Sequence, residues 1–269
     1  REQGGRCVIS GEKMSVTSKD GNSLGVSPER LSNKIGYVKG NVVLICKFLQ
    51  VGSGYDLQPK DIRQLLLYDK RGDNFIFDET DFRNNVGKKK KQFPTTLKKV
   101  KREYNSEGML LSKCCSGCGD FKPISAFHKY TKDIDGVGYL CKQCNFKRCI
   151  EHSNTIRGFL LYICKSARSR SKKRGKKRSR RDRAEECASE LFELVVELFI
   201  KQGGRCALTG IPLKLKVGHV HAVSIDRLDN SRGYVDGNIQ LIVAPLDTAY
   251  KPPNTQYKEI IAETKRFFN

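Results

Sequence analysis

Cys115-x2-Cys118 and Cys141-x2-Cys144 are separated by 22 residues. Two Cys-x-x-Cys knuckles at such spacing converge tetrahedrally on zinc, and a segment too short to build its own core gains stability from the metal. Four thiolates leave no open coordination position, so the predicted Zn²⁺ is structural rather than catalytic. Cys114 and His128 stand near enough in sequence to replace one ligand. The same part of the chain is strongly basic. Between Lys165 and Arg183 there are 12 basic residues and one acid, and Lys88, Lys89, Lys90 and Lys91 form a second run. Arg168, Arg170, Lys172, Lys173, Arg174, Lys176, Lys177, Arg178, Arg180 and Arg181, with the four lysines, are the candidate nucleic-acid-binding residues. Neither run interleaves aromatics, so the pattern predicts grip on phosphates of RNA or DNA rather than readout of bases.

Charge arithmetic isolates that region. The 269 residues carry 51 Lys and Arg against 29 Asp and Glu, a net charge of +22. Residues 1–87 hold 13 and 11, residues 88–183 hold 28 and 7, and residues 184–269 hold 10 and 11, giving +2, +21 and −1. A surplus this concentrated is expected to meet a polyanion. No apolar run approaches the ~18 residues of a membrane span, so no membrane partner is expected. Eleven cysteines without a secretory signal in view read as reduced thiols or metal ligands in a reducing intracellular compartment; an organelle, mitochondrion or plastid, is compatible with this.

The two near-neutral ends are copies of one another. Gln3-Gly4-Gly5-Arg6-Cys7 recurs as Gln202-Gly203-Gly204-Arg205-Cys206. Val26–Ile45 aligns without gaps to Val223–Ile242, with 12 identities in 20. Each copy reads as strand, tight turn, strand and short helix. In the second copy an amphipathic helix, Glu185–Ile200, precedes the Gln-Gly-Gly, with Leu191, Leu194, Val195, Leu198 and Phe199 on one stripe. The first copy starts at Arg1, so the repeat predicts further chain upstream. Pro245 is expected to open a short helix, Thr255–Phe268 to form a longer one, Pro59–Leu67 another, and Asn74–Phe77 a strand or hairpin.

A β-hairpin running into a helix, with Asp226 late in strand one and Gly233-Tyr234-x-x-Gly237-Asn238 entering strand two, resembles the ββα-metal (HNH) nuclease core. It is similar above all to the endonuclease VII-like relatives of phages and large DNA viruses. The resemblance implies that Asp226 and Asp247 would share a divalent metal, that Asn238 is the middle Asn, and that Arg227 stands where the general-base His belongs. The same places in the first copy hold Glu29, Gln50, Asn41 and Arg30. Two carboxylates converging from a strand and a helix form a hard oxygen site suited to Mg²⁺. Gln50 is a neutral, weaker ligand, and Arg cannot accept a proton at neutral pH. His219 and His221 are the available substitutes. On an extended strand they would face away from Asp226; a surface loop is the plainer reading.

The expected fold is therefore α+β: a first HNH-like module (1–87), a basic linker (88–113), a zinc-ribbon or treble-clef-like four-cysteine module (114–150), a basic helix and linker (151–183) and a second HNH-like module (184–269). Two functions follow. One is phosphate-backbone binding on degenerate HNH scaffolds, as a structural RNA-binding component of a ribonucleoprotein such as an organellar ribosome. The other is a Mg²⁺-dependent endonuclease acting through the second module.

Overall fold

A computed structural model describes residues 3–16, 23–51, 57–87, 100–131, 133–174, 188–248 and 251–268. Along the chain run strands β1 (Val26–Arg30) and β2 (Val42–Cys46), then helices α1 (Pro59–Leu67) and α2 (Glu79–Gly87). They are followed by β3 (Arg102–Tyr104), β4 (Leu110–Cys114), β5 (Phe121–Pro123), β6 (Phe127–Lys129) and β7 (Val137–Cys141). Helices α3 (Lys142–Ser153), α4 (Ile156–Arg174) and α5 (Ala188–Lys201) lead to strands β8 (Val223–Arg227) and β9 (Ile239–Val243) and helix α6 (Asn254–Phe268). This is α+β architecture, with four small antiparallel sheets among the described residues. It divides into two compact units, one of residues 1–83 with 159–269, the other of residues 84–158.

The repeat is structural as well as textual. Gly4 and Gly5 take φ of 55° and 74°, and Gly203 and Gly204 take 59° and 67°. Two successive left-handed residues are cheap only for glycine, which explains the doublet. The turn aims the preceding Gln at the hairpin: the Gln202 amide donates to Leu241 O at 2.9 Å and accepts from Leu241 N at 2.9 Å, as Gln3 does with Leu44. β1 pairs with β2 and β8 with β9 in one register, Val26 opposite Cys46 and Val223 opposite Val243.

Both copies contribute to the first unit's core. Phe48 meets Tyr257 edge-on at 5.4 Å, α1 lies against α6, and Thr248 donates to Phe48 O at 2.6 Å. Arg205 forks onto Asp73 at 2.7 and 2.8 Å and lies over the Phe75 ring. The Asn74–Phe77 segment is therefore irregular, not the strand or hairpin its composition suggests: its carbonyl and rings serve Arg205 and Phe199 instead of a ladder. Pro245 opens only a single 3-10 turn, Ala244–Leu246, so Asp247 follows a turn rather than sitting on a helix. The α1 and α6 expectations match to within a residue.

In the second unit β3–β4–β5 and β6–β7 precede α3. Its core is small: Cys115, Phe127, Val137, Leu140 and Cys141, with Ile124, Ala126 and Tyr139 packed against them. Lys113 is fully buried and donates to Asp135 at 2.7 Å, and Arg102 shares the same carboxylate oxygen at 2.8 Å. The two cations hold the Asp135 carboxyl below its ordinary range against burial, which acts the other way.

Candidate metal centre and the repeated carboxylate site

Cys115, Cys118, Cys141 and Cys144 converge so that all four Sγ atoms lie within 4.8 Å of one another. The first pair sits in a turn after β4. The second spans the end of β7 and the first turn of α3, so sheet and helix fix the ligands together. Backbone N–H groups point at the sulfurs: Gly117 and Cys141 donate to Cys115 at 3.3 and 3.2 Å, and Cys144 donates to Cys141 at 3.5 Å. Burial opposes the Cys115 thiolate, but the N–H groups of Cys141, Cys118 and Gly117 outweigh it and bring the thiol down to about 6. A group of four thiols with one already inclined to ionise can hold a metal ion such as zinc. A Cβ on Gly117 would lie 2.9 Å from both Cys144 Cβ and Leu140 Cδ2, so the knuckle closes only over glycine. Cys114 turns its thiol to Gly119 O, and neither it nor His128 joins the cluster.

At the second repeat, Asp226 is buried in a closed polar network. Its Oδ2 accepts from Gln240 at 2.7 Å and forms an ion pair with Lys251 at 2.8 Å; Gln240 and Lys251 both bond Asn254. Asp247 accepts from Ser224 at 2.6 Å and has Arg170, on α4, at 3.9 Å. Burial pushes the Asp247 carboxyl up, Ser224 opposes this, and the charge of Asp226 raises it further. The two carboxylates thus feel each other, but the ammonium of Lys251 already supplies positive charge at Asp226. That donor set suits a buried lysine better than a hydrated divalent ion. Among the described residues no second group of three or more Cys, His, Asp or Glu converges at metal-binding distance.

Arg227 and Asn238 hold the hairpin loop. Arg227 donates to Asn230 O and Arg232 O at 3.0 and 2.9 Å and lies over Tyr234 at 5.2 Å. Asn238 accepts from Asp229 N and donates to the carbonyls of Asp229 and Gly233. Arg30, over Tyr37 at 5.2 Å, and Asn41 do the same in the first copy. Gln50 accepts from Ser27 at 2.8 Å, as Asp247 does from Ser224, while Glu29 caps its own neighbour, Arg30 N. His219 and His221 lie in the turn before β8, their rings 5.4 Å apart.

Lys251 and Gln240 escaped the sequence reading. The repeat held the signal: their counterparts are Gly54 and Val43, so both partners change where Glu29 becomes Asp226. Of the basic residues, Arg170 is exposed beside Asp247 and Arg168 half-buried on α4. Lys172, Lys173 and Arg174 belong to the same helix. Lys88, Lys89, Lys90, Lys91, Lys176, Lys177, Arg178, Arg180 and Arg181 lie outside the described residues. No family model, curated protein or solved structure matches the chain.

Proposed function

We propose that the chain grips the phosphate backbone of nucleic acid, as a structural RNA-binding component of a ribonucleoprotein, on two degenerate HNH-like repeats and a treble-clef-like module holding one Zn²⁺. The observation that carries this reading is the charge distribution: residues 88–183 bring +21 of the net +22. The zinc module lies within that segment and would anchor it. Loss of chemistry is supported by Arg227 and Arg30, which serve the loop and offer no base, and by Lys251, which neutralises Asp226. Neutralising six or more phosphates gives a steep salt response. The test is binding of structured RNA and of duplex DNA by the full chain between 50 and 200 mM salt. An affinity falling on the order of 10³-fold, with RNA preferred, is the expected result; a flat response sinks the reading.

The second reading is Mg²⁺-dependent cleavage through Asp226, Asn238 and Asp247, favoured by the mutual influence of the two carboxylates. Plasmid and structured-RNA nicking with Mg²⁺ or Mn²⁺ separates the two. Cleavage by the wild type that disappears in Asp226→Ala would replace the first reading with the second.

A further inference from the structure

Because the two hairpins share one register, every residue of β1 and β2 has a counterpart 197 positions on (223 − 26 and 243 − 46). One face of the second hairpin is closed. Val223, Ile225, Ile239 and Leu241 are 3%, 2%, 6% and 0% exposed. Helix α5 packs on β9, its Leu191, Val195 and Phe199 are buried, and Leu191 and Leu194 line a cleft with Tyr234. In the first hairpin the same face is buried at Cys46 and partly exposed along the rest of its length. Val26, Val42 and Leu44 are 38%, 36% and 40% exposed, and Tyr37 is 60% exposed where Tyr234 is 6%. In the loop between the strands Ile35 and Val38 are exposed as well.

A partly exposed apolar face of this kind marks an interaction surface, and the second repeat says what fits it. We propose that the β1–β2 face is a docking site for an amphipathic helix of the α5 type, seated with its C-terminal end at Gln3 as Lys201 sits before Gln202. The rim sets the edge chemistry. Lys34 and Lys39 are exposed at the loop positions where the second copy has Ser231 and Asp236. A helix with an aliphatic and aromatic stripe flanked by acids, as Glu190, Glu193 and Glu197 flank α5, meets both the face and the rim. A base-stacking role for Tyr37 would leave Val26, Val42 and Leu44 unexplained. This inference is independent of the nucleic-acid reading.

A free 14-residue peptide is a marginal helix in water, so the experiment joins the helix to its site. The sequence of Ala188–Lys201 is placed directly before Gln3 in the full chain, with Leu44→Cys as a reporter followed by alkylation and peptide mass mapping. Docking should slow alkylation of that thiol by about tenfold or more and raise the melting temperature by roughly 2–10 °C. A graft whose stripe is changed to serine should do neither. Equal alkylation rates with the two grafts would overturn the proposal. So would a dimer of the ungrafted chain that Leu44→Asp disperses, since a second copy would then be the occupant of the face.

Discussion

At the scale of single residues, the second repeat's carboxylates are held by opposite logics. Asp226 is ion-paired with the buried Lys251 and accepts from the Gln240 amide, so removing Lys251 strands a charge. Lys251→Met is expected to cost about 3–5 kcal/mol, the range for breaking one side of a buried ion pair, in urea unfolding. Adding Asp226→Asn should recover most of it, because Gln240 can still bond the amide. If the double variant is as unstable as the single one, the pairing is not what Lys251 contributes. Asp247 is the reverse case: burial raises its carboxyl, so its proton is bound more tightly folded than unfolded. Such a group stabilises below the unfolded pKa of about 3.9, and that contribution is lost as pH rises through the folded value. Asp247→Asn should therefore stabilise the chain at pH 7, on the order of 0.5–2 kcal/mol, with the gain shrinking toward pH 4. A constant gain at both pH values would contradict the assignment.

At the scale of elements, the turn after β4 and the start of α3 make the cysteine cluster, and Gly117 decides whether they can meet. With a Cβ clashing at 2.9 Å against Cys144 and Leu140, Gly117→Ala should displace one ligand pair and weaken zinc retention by about 10–100-fold, the scale of a disturbed ligand shell, in a chelator competition. Unchanged retention would mean that the turn yields without cost. The elements that the sequence disclosed are those governed by local rules: Cys-x-x-Cys knuckles, the Pro59 helix start, the α6 periodicity and the doubled hairpin. The parts it concealed are those chosen by tertiary contact. Lys113, an ordinary lysine in a β-strand, is buried only because Asp135, 22 residues on, reaches it. Asn74–Phe77 has strand composition, but its Phe75 carbonyl is claimed by Arg205, 130 residues away. Lys251 carries no motif at all; it reaches Asp226 from the irregular segment just before α6.

At the scale of the whole molecule, residues 84–158 form a compact unit interrupting the other, which is built from residues 1–83 and 159–269. The inserted unit is tied by short-range contacts such as Lys113 to Asp135 and Cys115 to Cys141. The discontinuous one depends on distant contacts: Phe48 with Thr248 is 200 positions apart, and Tyr68 with Lys265 is 197. Chains rich in local contacts fold sooner than those that must close long loops, so the inserted unit should form first, provided zinc is bound. Its unfolding would leave the discontinuous unit linked by a loose segment of 75 residues (158 − 84 + 1). Loop entropy grows only as the logarithm of length, so that exchange is a small perturbation. Calorimetry with zinc should then show two transitions, and a chelator should abolish one while moving the other by only a few degrees. Should chelation collapse both together, the zinc cluster must underwrite the repeats as well as its own unit, and the repeats could no longer be treated as a separately stable scaffold.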